Sequence, residues 1–195
     1  MRQLLFFTAA ILAMAANPVL AHTGAGPVSG MSVGFSHPIG GLDHVLAMLA
    51  VGILAAQLGG RSLWFVPAVF VSMMVIGGLL GITGVPVPFV ELGILGSVVV
   101  LGGVIAAGRQ MPIALVMTLV GLMAIFHGHA HGTEMPVNAG GIEYSLGFIM
   151  ATALLHAFGI GLTIGARKVV KELAPLAIRV SGGAIAVTGA VLFTV

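Results

Sequence analysis

The sequence has no cysteine and very few charged residues. The lack of thiols excludes disulfides and thiolate metal sites. Charged residues make up 6% of the 195 residues, whereas soluble domains average about 25%, so an ordinary soluble domain is excluded. The seven Arg and Lys residues are scattered along the chain, and they form no basic patch of the kind that binds nucleic acid.

The sequence is instead rich in apolar residues and glycine. Hydrophobic residues make up 59% of the chain, and there are 30 glycines. Small residues let membrane helices pack closely. This composition predicts an all-α fold, a polytopic helix bundle in a lipid bilayer.

The N-terminus has the pattern of a secretory signal peptide. Arg2 provides the positive charge, Leu4–Ala16 is an apolar core, and small residues end at Ala21. We expect residues 1–21 to be cleaved, which would leave His22 as a mature N-terminus outside the cytoplasm and 22–195 as one transmembrane domain. The alternative is an uncleaved first helix.

Apolar runs separated by short turn-rich breaks predict about six membrane-spanning helices. Each run is near the ~20 residues that a bilayer core requires, and proline begins several of them. The predicted spans are Pro38–Leu58, Leu63–Gly81, Pro88–Ala107, Pro112–Gly128, Ile142–Gly165 and Leu173–Phe193.

The positive charges predict the orientation in the membrane. With the mature N-terminus outside, Arg61, Arg109 and the group at 167–171 all fall in cytoplasmic loops, as the positive-inside rule requires. Arg179 lies inside the last span and is expected to extend toward the same side. These positions predict a multi-pass protein of the inner (cytoplasmic) membrane, with most His and acidic residues at its outer face.

The segment "HPIGGLDH" places polar residues at the start of the first span. Pro38 suits the first helical position, so we expect His37 at the N-cap and Asp43 and His44 one to two turns into the membrane. A carboxylate at that depth is costly unless it pairs or binds a cation. The alternative is a helix cap with an Asp–His hydrogen bond.

The segment "FHGHAHGTE" ends the fourth predicted span. On a helix, His127, His131 and Glu134 form one stripe, while His129 points elsewhere. Imidazole and carboxylate together suit Ni, Co, Zn, Cu(II) and Fe(II). The alternative is an exposed loop with incidental histidines.

Two further residues have open roles. Glu91 begins the third span, where it is either a metal ligand or a charge that complements the helix dipole. His156 is favoured as a hydrogen-bonded interior histidine, with a deeper step on an ion path as the alternative. Together the polar residues of three helices predict a divalent-cation site at the outer face. The candidate metal ligands are His37, Asp43, His44, Glu91, His127, His129, His131 and Glu134.

At "HPIGGLDHVLAMLAVG" and "HGHAHGTE" the chain resembles the HupE/UreJ family of nickel permeases. The first segment matches the opening-helix pattern HP-x-x-G-x-DH, and the second matches the later His-rich segment. The spacing, with five residues between His37 and Asp43, differs from that of the nickel–cobalt transporters with an HX4DH signature. The predicted layout of the whole chain is also similar to the family.

The resemblance implies uptake of Ni²⁺ or Co²⁺ for metalloenzymes such as [NiFe] hydrogenase or urease. It implies that His37, Asp43, His44, His131 and Glu134 serve metal entry. The implied partners are the Ni²⁺ substrate, the bilayer and, indirectly, a nickel-enzyme maturation system, with a homo-oligomer left open. No nucleotide-binding motif is present, no permanently bound cofactor is expected, and the protein is not expected to be an enzyme.

Three other functions remain open from the sequence. His and Asp near the surface could hold Zn²⁺ in a membrane hydrolase. Facing histidines such as His44 and His127 could bind haem b in an electron carrier. The protein could also bind metal without transporting it, as an accessory or storage protein.

Overall fold

A computed structural model describes residues 30–136 and 140–194. The predicted signal peptide at 1–21 and its cleavage site lie outside the described residues. The described ranges contain helices and no β-strand, which confirms the all-α prediction. In chain order the helices are α1 (Gly30–Gly40), α2 (Leu42–Leu58), α3 (Ser62–Ile82), α4 (Val90–Ala107), α5 (Ile113–Thr133), α6 (Gly141–Val169) and α7 (Ala174–Leu192), with a 3-10 turn at Lys171–Leu173 before α7.

The helices have the length and composition of membrane spans. Five segments are long and apolar enough to cross a bilayer, and α1 with α2 makes a sixth if this bent pair counts as one span. Large apolar side chains point outward along the bundle, with Trp64 79% and Ile142 80% exposed. An apolar exterior of this kind is what a lipid environment stabilises.

The first predicted span differs from the structure at its start. Pro38 lies inside α1 rather than at the first position of α2, and the two helices meet at an angle of 84°. Gly41 between them is extended, with φ −103° and ψ 122°. Here a Cβ atom would lie 2.7 Å from Asp43 Oδ1 and 2.9 Å from His44 Nδ1, so glycine leaves room for these two side chains. His37 and His44 therefore lie on different helices, and the prediction that His37 caps α2 is wrong.

The fourth predicted span is longer than expected. The sequence predicts its end at Gly128, but α5 continues to Thr133. Glycines at 128 and 132 favour a helix end in the sequence, yet both lie where another helix passes close by. Because the helix continues, His129 and His131 project from helix and not from a loop.

Glycines allow α3 and α5 to touch backbone to backbone. Gly77 lies against the Ile125 carbonyl, and Gly128 lies against the Met74 carbonyl. Each glycine is followed four residues later by another, which gives a small-xxx-small pattern on both helices. Glycine contacts of the same kind join three other helix pairs: Gly34 and Gly147 for α1–α6, Gly52 and Gly159 for α2–α6, and Gly102 and Gly182 for α4–α7.

The two ends of the bundle differ in charge. At one end, named here the histidine end, lie α1, the starts of α2, α4 and α6, and the ends of α3 and α5. The opposite end, named the arginine end, holds all six Arg and Lys residues of the described ranges. The predicted separation of cations from His and acidic residues is thus present, and among the acidic residues Glu172, in the 3-10 turn before α7, is the exception.

Arginines at the arginine end bond to helix C-termini. Arg167 donates to the carbonyls of Ala56 at 2.9 Å and Gln57 at 3.2 Å. Arg179 donates to the Ala106 carbonyl at 2.8 Å, so it reaches the end of the bundle that its sequence position predicts. The last carbonyls of a helix lack intrahelical donors and carry the negative end of the helix dipole. Both arginines therefore satisfy backbone groups that lipid would leave unpaired.

We expect Gly77→Ala to destabilise the bundle, because the added Cβ would overlap the Ile125 carbonyl oxygen and force α3 away from α5. Overpacking of this kind costs roughly 1–3 kcal/mol. The free energy of unfolding in detergent micelles measures the effect. Gly103→Ala is the matched control, since a Cβ there meets nothing within 4 Å. Equal stability of the two variants would contradict the role of this glycine contact.

Candidate metal centre

Six of the eight predicted ligands come together at the histidine end. His37 comes from α1, Asp43 and His44 from the first turn of α2, and the others from the last turns of α5 and the residue that follows it. The bend at Gly41 turns α1 across the bundle, which brings His37 to the end of α5. The residues brought together are His37, Asp43, His44, His127, His131 and Glu134.

Three of them form the outer part of the cluster, named here the outer trio: His37, His131 and Glu134. One ligand atom from each lies within 4.8 Å of the others. The Nε2 atom of His37 is 3.0 Å from Glu134 Oε2. The side chains of His37 and Glu134 are 30% and 52% exposed, whereas His131 is buried at 5%. Two imidazoles and a carboxylate with one open side can hold a divalent transition metal.

The cluster continues inward through ring contacts. His44 lies next to His131, with ring centroids 4.4 Å apart, and next to His127, with centroids 4.8 Å apart. His127 is fully buried. The histidines therefore form a continuous row from the exposed Glu134 to the interior of the bundle.

Asp43 orients His44. Its Oδ1 atom accepts a hydrogen bond from His44 Nδ1 at 2.9 Å and from the His44 backbone N–H at 2.9 Å. A carboxylate on one ring nitrogen fixes the tautomer and leaves the other nitrogen as a ligand. His44 Nε2 is indeed buried without a hydrogen-bond partner among the described residues. The Asp–His hydrogen bond considered from the sequence is therefore present, within a larger histidine cluster.

Two predicted ligands lie apart from the cluster. His129 points away, as helical spacing predicts, and its Nε2 donates to the Val85 carbonyl at 2.9 Å. Glu91 is exposed in the first turn of α4, and it has no hydrogen bond or ion pair within the described ranges. The geometry gives neither residue a place beside the outer trio.

His156 differs from the favoured interpretation. It is 1% exposed, yet neither ring nitrogen has a hydrogen-bond partner in the described part of the chain. Its contact is the Phe70 ring, 5.0 Å between centroids, and Phe70 also lies 5.8 Å from His127. The prediction of a hydrogen-bonded interior histidine is therefore wrong, and His156 is an unpaired imidazole behind an aromatic ring.

Sequence reasoning missed the residues that surround the histidines. Phe148 packs on His131 at 4.0 Å, and the ring of Tyr144, the single tyrosine, lies 5.9 Å from His37. Ser97 lies 2.8 Å from His127 Nε2. Two features of the sequence could have indicated these residues. One is an aromatic residue near the start of a span, where membrane proteins favour tyrosine, and the other is a single serine in an apolar run.

Histidine rings in direct contact do not fit the haem hypothesis. The haem hypothesis requires His44 and His127 to ligate the iron from opposite sides. Their centroids are 4.8 Å apart with the rings nearly perpendicular, at 89°, so no porphyrin plane fits between them.

Comparison with known proteins agrees with both sequence motifs. Residues 10–192 match the family model described as HupE / UreJ protein. The chain belongs to the HupE/UreJ family. It is 43% identical over 182 residues to Protein HupE of Rhizobium leguminosarum bv. viciae, a match that covers 93% of this chain and 94% of that protein. No solved structure matches the chain significantly. The resemblance inferred from the two histidine motifs is confirmed.

We expect Glu134→Gln to weaken Ni²⁺ binding, since it removes the only carboxylate of the outer trio. The loss should be about tenfold or more, because even outer partners of metal ligands change affinity by about 10–100-fold. Isothermal titration calorimetry of the detergent-solubilised protein measures it. Glu143→Gln, at the same end of the bundle but outside the trio, should bind like the wild type. Equal Ni²⁺ affinity of the two variants would show that Glu134 does not contribute to the site.

Proposed function

We propose that the protein is a permease that carries Ni²⁺, or the chemically similar Co²⁺, across the inner membrane. The observation that carries the proposal is the row of histidines that leads from an exposed carboxylate to a fully buried imidazole. A resident structural metal has one closed set of ligands, and a resident catalytic metal has one fixed set with an open position. A row of partial ligand sets lets an ion bind, lose water and move on.

Capture begins at the outer trio. Glu134 is half exposed and supplies a negative charge, while His131 beside it is buried. A hydrated cation is attracted by the carboxylate and exchanges water for imidazole nitrogen as it enters. Because the site has no thiolate, binding is moderate, which suits release on the inner side.

His44 receives the ion from His131. The two rings are in contact, and Asp43 holds the proton of the other His44 nitrogen. The negative charge of Asp43 also offsets the cost of a divalent cation inside an apolar bundle. His127 and then Phe70 and His156 continue the line toward the arginine end.

The membrane potential supplies the driving force. Two charges that cross 100 mV gain about 4–5 kcal/mol, so transport needs no nucleotide hydrolysis. In the orientation that the positive-inside rule favours, the histidine end faces outward and the arginine end faces the cytoplasm. The imported metal would supply a nickel enzyme such as [NiFe] hydrogenase or urease, as the family suggests.

We expect proteoliposomes with the wild-type protein to take up ⁶³Ni²⁺ faster when the interior is negative. Asp43→Asn and His131→Ala should lower the initial rate to nearly that of empty liposomes, because the first removes the carboxylate that orients His44 and the second removes a histidine of the row. Glu143→Gln is the matched control and should keep the wild-type rate. Uptake that stays at the empty-liposome level for Ni²⁺ and Co²⁺, with folded protein, would disprove the permease.

A zinc hydrolase is the second candidate, because two histidines and a glutamate with an open side form a ligand set that catalytic zinc also uses. A hydrolase would retain one Zn²⁺ per chain after washing with a mild chelator. Elemental analysis of the purified protein decides between the two, since a permease of moderate affinity would lose its metal in the same wash.

A further inference from the structure

Ser97 makes a hydrogen bond that the proposed transport path does not use. It lies in α4, and both its side chain and that of His127 are fully buried. Its Oγ atom is 2.8 Å from His127 Nε2 and 2.6 Å from the Ile94 carbonyl oxygen. It is the only polar side chain bonded to His127 among the described residues.

The direction of the two hydrogen bonds follows from counting protons. A serine hydroxyl has one hydrogen to donate, and a carbonyl oxygen only accepts. At 2.6 Å the Ile94 carbonyl must receive that hydrogen, because two lone pairs at this distance would repel each other. Ser97 Oγ therefore accepts from His127, which places the proton of His127 on Nε2.

This tautomer leaves the other nitrogen of His127 with a lone pair. Nδ1 of His127 is buried and has no hydrogen-bond partner in the described ranges. A neutral histidine with one nitrogen protonated and bonded, and the other unpaired, is in the form that ligates a metal. A buried unpaired nitrogen is also costly, which a bound cation would relieve.

The tautomer of His44 is fixed in the same way by a hydrogen bond to a neighbouring residue. Asp43 accepts the Nδ1 proton and leaves Nε2 unpaired. The two rings touch, with centroids 4.8 Å apart. Two helices thus bring together two imidazoles, each held in one tautomer by a residue behind it and each with one free nitrogen.

We propose that Ser97 is a positioning residue that fixes the tautomer of His127, so that His127 and His44 form a second cation station deeper than the outer trio. The proposal rests on the proposed function. The station has two neutral nitrogens where the trio has a carboxylate as well, so it holds a divalent cation less tightly. Because the inner station binds the cation weakly, the cation can pass through it after leaving the outer trio and is not retained there.

The competing explanation is local. Serine in a membrane helix often bonds to a carbonyl of the preceding turn with no further role. Ser181 in α7 does this, with a bond to the Ile178 carbonyl at 2.8 Å. Among the described residues it has no hydrogen bond to a histidine, so Ser181→Ala is a matched control for the loss of a serine-to-carbonyl bond.

The first test is the tautomer of His127 by ¹⁵N NMR of ring-labelled histidine in the metal-free protein, assigned with His127→Asn. The wild type should show His127 protonated at Nε2 alone. Ser97→Ala should give a mixture of tautomers, while Ser97→Thr and Ser181→Ala keep the wild-type pattern. A single unchanged tautomer in Ser97→Ala would overturn the positioning role. This measurement does not require transport, so its outcome does not depend on whether the protein is a permease.

The second test is the concentration dependence of ⁶³Ni²⁺ uptake. Ser97→Ala should lower the maximal rate by about 10–100-fold, the usual effect of losing a partner behind a metal ligand. The half-saturating concentration should change little, because the outer trio captures the ion. Ser97→Thr should restore the rate. A raised half-saturating concentration at an unchanged maximal rate would overturn the inner station, and so would a rate equal to that of Ser181→Ala.

Discussion

The close approach of helix backbones is the constraint on which the rest of the structure depends. Imidazole rings are short, so histidines on three helices meet only when the helices around them pack at close distance. Glycine at 128 lets α5 lie against α3, and glycine at 147 lets α6 lie against α1. These contacts, with those of Gly52 and Gly159 between α2 and α6, tie the helices that carry His37, His44 and His131 to their neighbours. The high glycine content is therefore a requirement of the site as well as of membrane packing.

Unpaired histidine nitrogens are the cost of this arrangement. A buried polar atom without a partner destabilises a protein, and lipid around the bundle offers no water to compensate. The structure limits that cost by satisfying one nitrogen where a partner is available. Asp43 does so for His44, and Ser97 does so for His127. His44 and His127 keep one unpaired nitrogen each, and their rings are in contact with each other. A cation shared by these two nitrogens would restore the lost stability.

Hydropathy and motif spacing predicted the helices and most of the site, because both depend on local composition. The helical stripe of His127 and His131, with His129 turned away, follows from the period of the helix alone. The bend at Gly41 was not predictable, because a glycine pair after proline is compatible with a loop, a cap or a kink. Ser97 was missed because a serine within an apolar run is compatible with simple back-bonding. Its partner is thirty residues away on another helix, a contact that only tertiary packing reveals.

The separation of charge between the two ends bears on the proposed cation path. If arginine lay near the histidine end, it would pair with Asp43 or Glu134 and neutralise the charge that attracts a metal. In the described ranges the basic residues lie at the opposite end instead. Arg167 and Arg179 bond there to backbone carbonyls, which carry the negative end of the helix dipoles. Because these arginines bond to helix ends, they do not pair with the carboxylates at the histidine end. The same arrangement satisfies the positive-inside rule. The proposed orientation in the membrane and the proposed attraction of a divalent cation thus follow from one distribution of charge.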